Sequence, residues 1–114
     1  MNTYIIRFSD LDKNNCFIPP VSFDGHLECP ENFGTVKFPK DLIVKGRIIF
    51  KSGSGISAGL GISAGEGISA GWGISAGWGI SAGLGISAGE GISAGLGISA
   101  GWGISAGLGI SAGE

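Results

Sequence analysis

Apolar and small residues alternate in a fixed six-residue pattern over the second half of the chain. From residue 55 to residue 114 the unit Gly-Ile-Ser-Ala-Gly-x occurs ten times, and only x varies. The variable position is occupied in turn by Leu60, Glu66, Trp72, Trp78, Leu84, Glu90, Leu96, Trp102, Leu108 and Glu114. Six residues are too few for a helical hairpin or a propeller blade, so the pattern predicts an all-β fold, a β-solenoid with one strand and one corner per unit.

The alternation also predicts which side chains are buried. In an extended segment every second side chain points to the same face, so Ile and Ala are expected inside and the Ser between them outside. The Gly residues that flank x are typical of a tight corner, which would direct x outward. An inward x would bury Glu66 and Glu90 with no cation in the repeat to pair with them.

The number of hexads per coil decides which x residues become neighbours. Three hexads, about 18 residues, as in left-handed hexapeptide-repeat helices, would mix Leu, Trp and Glu in every column. Two hexads, about 12 residues, would instead give one apolar edge and one edge that alternates Glu with Trp. The hexapeptide pattern also has a small residue two positions before the aliphatic one, where this chain has x. The sequence therefore favours two-sided coils over three-sided ones.

The hexad register continues towards the N-terminus in weaker form. Counted backwards from Ile56, it places Phe38, Val44 and Phe50 at the Ile position. The x position then falls on Val36, Leu42 and Ile48. All six are apolar, which predicts a solenoid over residues 36–114, with degenerate rungs at 36–54 and the strict repeat at 55–114. Residues 1–35, with one predicted strand at 4–8, are expected to form a short cap over the first rung.

Charge and hydropathy narrow the possible partners. All seven Lys and Arg residues lie within the first 51 positions, and the strict repeat has a net charge of −3. A surface without Lys or Arg cannot neutralise phosphates, so direct nucleic-acid or membrane binding is not expected, whereas a protein with a basic surface is a suitable partner.

With no signal-peptide pattern and no run of about 20 apolar residues, a cytoplasmic location is expected.

The candidate chemical motifs are incomplete. Every unit matches the G-x-S-x-G nucleophile elbow, but that elbow needs a downstream His, and His26 precedes all ten repeat serines. Residues 10–14 begin like a calcium loop, yet Asn15 stands where the loop needs Gly, which favours a solvated turn. Cys16, His26 and Cys29 lack the paired spacing of a zinc site. We therefore expect no enzymatic activity, no metal and no cofactor.

A family resemblance suggests where such a chain acts. The repeat follows a segment with Leu-Glu-Cys-Pro-Glu at 27–31 and Gly-Thr-Val-Lys at 34–37. In this respect the chain resembles small repeat-bearing proteins of enterobacterial prophages and other mobile elements. Some proteins of such elements are anti-CRISPR inhibitors, which block a host effector complex by sitting on its surface. The resemblance implies a phage-type inhibitor in the cytoplasm of a bacterial host, and it transfers no catalytic residue.

Two functions follow from these expectations. In the first, a protein-binding inhibitor captures its partner through the Glu/Trp edge, which comprises Glu66, Trp78, Glu90, Trp102 and Glu114. It forms a homodimer through its uncapped C-terminal end or through the apolar edge, which comprises Leu60, Trp72, Leu84, Leu96 and Leu108. The alternative is a self-assembling structural or spike-like solenoid. Ice binding on the Ser rows is a third possibility, although such faces usually depend on Thr, which the repeat lacks.

Overall fold

A computed structural model of the chain describes residues 2–17, 22–30, 32–51, 53–107 and 109–112. Over these residues it contains sixteen strands and one short 3₁₀ helix at Phe8–Asp10. The strands are β1 (Thr3–Ile5), β2 (Ser22–Phe23), β3 (His26–Cys29), β4 (Gly34–Phe38), β5 (Leu42–Val44), β6 (Ile48–Phe50), β7 (Ser54–Ala58), β8 (Ile62–Ala64), β9 (Ile68–Ala70), β10 (Ile74–Ala76), β11 (Ile80–Ala82), β12 (Ile86–Ala88), β13 (Ile92–Ala94), β14 (Ile98–Ala100), β15 (Ile104–Ala106) and β16 (Ile110–Ala112).

The strands stack into three parallel sheets, which form the faces of a β-solenoid. Face 1 contains β1, β3, β6, β9, β12 and β15, face 2 contains β4, β7, β10, β13 and β16, and face 3 contains β2, β5, β8, β11 and β14. In the strict repeat each Ile pairs with the Ile three hexads later, as Ile62 does with Ile80 and Ile56 with Ile74. The predicted β-solenoid is therefore confirmed, and the favoured two-sided coil is wrong, because one coil contains three hexads.

The Gly that precedes x explains why a three-sided coil accepts large residues at x. A Cβ atom added at Gly83 would lie closer than 3.0 Å to the carbonyl oxygen of Gly65, one coil earlier. At Gly85, which follows x, the nearest atom is the carbonyl oxygen of Gly103 at 3.4 Å, an ordinary contact. The small residue that this corner needs thus stands three positions before Ile, and the residue two positions before Ile is free to be large and to point outward.

The interior is a stack of Ile and Ala side chains. In β10, Ile74 and Ala76 are buried while Ser75 between them is exposed, and β8 to β13 all repeat this buried-exposed-buried pattern. The predicted inward Ile and Ala and outward Ser are therefore confirmed. Burial of an aliphatic side chain stabilises the fold by about 1.5–3 kcal/mol, and each of the two coils over β7 to β12 adds three fully buried Ile side chains.

The register of the early rungs differs from the prediction by two residues. Val36 pairs with Ile56 and Phe38 with Ala58, so the Ile position is occupied by Val36 and the Ala position by Phe38. The chain makes an additional turn before β7, where Gly53 has a φ of +86°. This turn adds two residues to the coil, so a backward count in steps of six gives the wrong register. By the same shift the Ile position holds Leu42 and Ile48, and the Ala position holds Val44 and Phe50.

The described part of the segment before β4 contains three strands, whereas one was predicted. β2 pairs with β5 and β3 with β6, so both strands extend faces of the solenoid, while β1 forms the edge of face 1. β1 ends at Ile5, earlier than the predicted strand, and the 3₁₀ helix follows, since the Asp10 carboxylate accepts a hydrogen bond from the Arg7 N–H at 2.9 Å. The repeat pattern could not predict these short strands, because their sequences do not contain the hexad.

An aromatic cluster covers the N-terminal end of the core. Phe17 is 3% exposed, and its ring centroid lies 5.9 Å from that of Tyr4, 5.9 Å from that of Phe23 and 5.3 Å from that of Phe38. Ile6 is also buried against this core. Aromatic pairs at such distances contribute about 0.5–1.5 kcal/mol beyond their burial. The N-terminal segment thus packs its aromatic side chains against the end of the core.

The two glycines that flank Leu84 give a test of the coil contact. We expect Gly83→Ala to lower the free energy of unfolding by about 1–3 kcal/mol, because its methyl group meets the backbone of the preceding coil. The matched Gly85→Ala variant should stay within about 1 kcal/mol of the parent, because its site has room and Ala lowers the entropy of the unfolded chain. Urea unfolding followed by circular dichroism measures both. Equal losses in the two variants would contradict this packing.

Candidate functional site: three corner ridges

The x residues stand on the outer corners of the solenoid, where they form three columns. The N–H of Trp78 donates to the carbonyl oxygen of Leu60 at 2.9 Å, and the N–H of Leu96 donates to that of Trp78 at 2.7 Å. Each x residue is in this way held above the x residue of the preceding coil. We name the columns ridge 1 (Leu60, Trp78, Leu96), ridge 2 (Glu66, Leu84, Trp102) and ridge 3 (Trp72, Glu90).

The three ridges replace the two predicted edges. The predicted Glu/Trp edge is divided, with Trp78 on ridge 1, Glu66 and Trp102 on ridge 2 and Glu90 on ridge 3. The predicted apolar edge is divided in the same way among Leu60 and Leu96 on ridge 1, Leu84 on ridge 2 and Trp72 on ridge 3. Leu108 and Glu114 lie outside the described residues. The division follows directly from the coil length, because x residues two hexads apart now stand on different corners.

Ridge 1 is the apolar ridge, and it separates face 2 from face 3. Trp78 is 55% exposed and Leu96 50% exposed, while Leu60 is half-buried. Neighbouring coils are about 4.8 Å apart, the usual spacing of paired strands, so the three side chains form an unbroken apolar strip. It is flanked by the Ser rows of faces 2 and 3, such as Ser75 and Ser81.

Ridge 2 lies between face 3 and face 1 and contains an ion pair. Glu66 Oε1 lies 3.7 Å from the Arg47 guanidinium, which reaches it from the preceding coil. The sequence pattern missed this partner because Arg47 precedes the strict repeat. Exposed ion pairs contribute about 0–1 kcal/mol, so the contact mainly neutralises the Glu66 charge. Farther along the ridge, Leu84 is 37% exposed and Trp102 81% exposed.

Ridge 3 lies between face 1 and face 2, where it borders a shallow groove of about 350 Å³. Trp72, Glu90 and the Ser row of face 2 all line this groove. The Trp72 side chain leans over face 2, since a Cβ atom placed on Gly34 would lie 3.8 Å from its Cζ3 atom. The sequence analysis did not predict that Trp72 and Glu90 are neighbours, because it favoured coils of two hexads. Coils of three hexads place them on the same corner.

Cys16, His26 and Cys29, which were considered for metal or catalytic chemistry, do not cluster, and each interacts with other residues of the fold. His26 Nδ1 accepts a hydrogen bond from the Arg47 N–H at 3.0 Å, and the buried Cys29 thiol lies 3.6 Å from Ser54 Oγ. The backbone of Cys16 forms an isolated parallel β-bridge with that of Lys37. Within the described residues no three His, Cys, Asp or Glu side chains are close enough together to hold a metal ion. The repeat serines lie at the centres of strands, without the strand-turn-helix of a nucleophile elbow.

The segment that begins like a calcium loop forms a turn closed by its own carboxylate. Asp12 Oδ1 accepts hydrogen bonds from the N–H groups of Asn14 at 2.8 Å and Cys16 at 3.0 Å. Asn15 adopts a φ of +66°, and its side chain donates to the carbonyl oxygen of Thr35 at 2.9 Å. The carboxylate is therefore used to order the N-terminal segment, as the expected solvated turn requires.

The Asp12 turn should make the cap sensitive to acid. The N–H groups of Cys16 and, secondarily, of Asn14 lower the pKa of Asp12 below its ordinary value of 3.8. Its stabilising contribution is therefore complete above that value and is lost as the pH falls through the folded-state pKa. An NMR titration of the carboxyl group should give a pKa below 3.8. Asp12→Asn, which retains an acceptor oxygen, should remove this part of the pH dependence, and a pKa at or above the ordinary value would contradict the turn.

Comparison with known proteins gives no relative for this arrangement of ridges. No helix within the described residues is long and apolar enough to cross a membrane. No family model, no curated protein and no solved structure matches the chain.

Proposed function

We propose that the chain is a non-enzymatic protein-binding solenoid that acts by occupying the surface of a partner protein. The observation that carries this proposal is ridge 1, in which Trp78 lies between Leu60 and Leu96 and remains half exposed. Contiguous exposed apolar strips are typical of interaction sites, and Trp is enriched among residues that dominate binding energy. The flanking Ser rows supply the polar rim that such an interface needs.

The backbone below ridge 1 is already ordered, which favours binding. Besides the hydrogen bond from Trp78 to Leu60, the N–H of Gly77 donates to the carbonyl oxygen of Ala58 at 3.0 Å. The N–H of Ile80 donates to the carbonyl oxygen of Gly97, also at 3.0 Å. Ordering of loops and side chains normally subtracts from binding energy, and a backbone fixed by ladder hydrogen bonds avoids most of that cost. A repeat with only three different residues at its variable position is well suited to this kind of recognition.

The engagement of the one His of the chain favours a role without catalysis. A serine nucleophile needs a neighbouring base, and the one His of the chain, His26, has its Nδ1 engaged by the backbone N–H of Arg47. The side chains that remain exposed on the corners are Leu, Trp and Glu, which are residues of recognition. The proposed partner has a basic surface, because the strict repeat has a net charge of −3.

The resemblance to proteins of mobile elements indicates which partner to test first. We propose inhibition of a host defence complex in the bacterial cytoplasm, in the manner of an anti-CRISPR protein, by covering a basic surface of that complex. Self-association through ridge 1 to form a homodimer is a second use of the same apolar strip, and it competes with partner binding for Trp78.

Truncation of Trp78 tests this proposal. We expect Trp78→Ala to weaken partner binding by about thirtyfold or more, the effect of a hot-spot residue, with the circular dichroism spectrum unchanged, because the side chain is outside the core. The measurement is affinity capture from a bacterial host lysate with identification of the retained protein, followed by titration of the purified pair. The matched control is Phe8→Ala, which removes an aromatic side chain that is 77% exposed at the cap.

Other outcomes would redirect the proposal. Unchanged capture by Trp78→Ala together with loss in Trp102→Ala would move the interface from ridge 1 to ridge 2. A fixed dimer by analytical ultracentrifugation that Trp78→Ala dissociates would assign ridge 1 to self-association. Open-ended growth of mass with concentration would contradict the inhibitor and support the self-assembling structural alternative.

A further inference from the structure

We propose that Trp72 and Glu90 on ridge 3 form a binding site for an arginine side chain of the partner protein. This inference rests on the proposed protein-binding function and specifies the chemistry of one contact. It concerns two residues that the sequence pattern assigned to opposite edges, and it uses a different corner of the solenoid from the apolar ridge 1.

The backbone ladder of ridge 3 places the two residues at the same corner. The N–H of Glu90 donates to the carbonyl oxygen of Trp72 at 2.9 Å, so the two residues occupy the same corner in successive coils. Both line the groove of about 350 Å³ on face 2, together with Ser57, Ser75 and Ser93. Trp72 is 39% exposed, so its indole is accessible from this groove while part of it is held against the sheet. A partner side chain entering the groove would contact an aromatic ring, a carboxylate and hydroxyl groups.

No Lys or Arg side chain of the described residues forms an ion pair with Glu90. Among the described residues the ion pairs are those of Lys45 with Asp24 and of Arg47 with Glu66. Every Lys and Arg of the chain lies within the first 51 positions, and Glu90 stands 39 residues, more than six hexads, beyond the last of them, Lys51. Glu90 therefore lines the groove, and no Lys or Arg of the described residues pairs with it, which favours a cationic occupant.

Ridge 2 shows how a corner Glu binds a cation when one is within reach. Glu66, at the equivalent position of another corner, lies 3.7 Å from the Arg47 guanidinium that extends from the preceding coil. In the coil before Glu90 the position that corresponds to Arg47 is Gly73, and Trp72 stands beside it at the x position. A guanidinium supplied by a partner would complete at Glu90 the pair that Arg47 forms at Glu66, and it would gain the aromatic surface of Trp72 as well.

The chemistry of the groove favours arginine over lysine or an apolar side chain. A guanidinium group is planar, so it can stack on an indole while its N–H groups donate to a carboxylate and to hydroxyl oxygens. An ammonium group is more strongly hydrated and lacks the planar face. An apolar side chain would use the indole and leave the carboxylate of Glu90 without a partner, at a desolvation cost.

The chain contains its own controls for a test with a small probe. Trp78 has Leu60 and Leu96 as its column neighbours, and Trp102 follows Leu84, so neither indole stands next to a carboxylate in its column. The probe is a blocked peptide, Gly-Gly-Arg-Gly-Gly, and its control is the same peptide with citrulline, which keeps the shape and removes the charge. The full chain is titrated while the three indole N–H resonances are followed by NMR.

We expect the arginine peptide to shift the Trp72 indole resonance in a saturable manner, with smaller shifts at Trp78 and Trp102 and little response to the citrulline peptide. Glu90→Gln should weaken the Trp72 response about fivefold, whereas the matched Glu66→Gln should leave it unchanged. Added salt should weaken it as well.

Three results would overturn the site: equal shifts at all three indoles, equal binding of the citrulline peptide, or an unchanged response in Glu90→Gln. None of them bears on capture of the partner through ridge 1, because that capture is tested at Trp78. Loss of capture in Trp78→Ala with an intact Trp72 response in the same variant would support both proposals separately.

Discussion

The contact between the Gly that precedes x and the carbonyl oxygen of the preceding coil is the constraint on which the rest of this structure depends. At Gly83 and its equivalents there is no space for a Cβ atom, because the backbone of one coil lies directly on that of the one before. This close approach lets the corners continue the hydrogen-bond ladder of the strands, as the bond from Trp78 to Leu60 shows. Corners and strands are therefore equally regular, and a six-residue unit with only Ile and Ala inside can form a continuous solenoid.

The same constraint determines what the surface can present. Because each corner has one residue that points outward, and because corners stack at an interval of three hexads, the eight variable residues that the structure describes sort into three columns. The columns differ in character: ridge 1 is apolar, ridge 2 begins with the neutralised Glu66, and ridge 3 places Glu90 beside Trp72. The proposed binding function and the proposed arginine site both depend on this sorting, since neither set of neighbours exists in a coil of two hexads.

Much of the fold followed from the hexad alone, because alternation of Ile, Ser and Ala fixes the inner and outer sides of a strand whatever the coil length. The coil length did not follow, since every hexad has the same Ile and Ala, and the interior gives no signal of how many units close a turn. The early register failed at Gly53, where an additional turn interrupts the count. The repeat pattern also could not predict that Arg47 pairs with Glu66, because Arg47 precedes the strict repeat. The outward direction of x was predictable, whereas the neighbours of Trp72 were not.

Disulfide trapping measures the number of hexads per coil most directly. Ser63 and Ser81 are register partners on face 3, whereas Ser63 and Ser75 lie on different faces. Paired strands are about 4.8 Å apart, within the range that a disulfide spans. In a Cys16→Ser background, where Cys29 is buried, the Ser63→Cys/Ser81→Cys variant should form an intramolecular disulfide under mild oxidation and Ser63→Cys/Ser75→Cys should not. Cross-linking of the second pair and not of the first would contradict the three-sided solenoid and the ridges that follow from it.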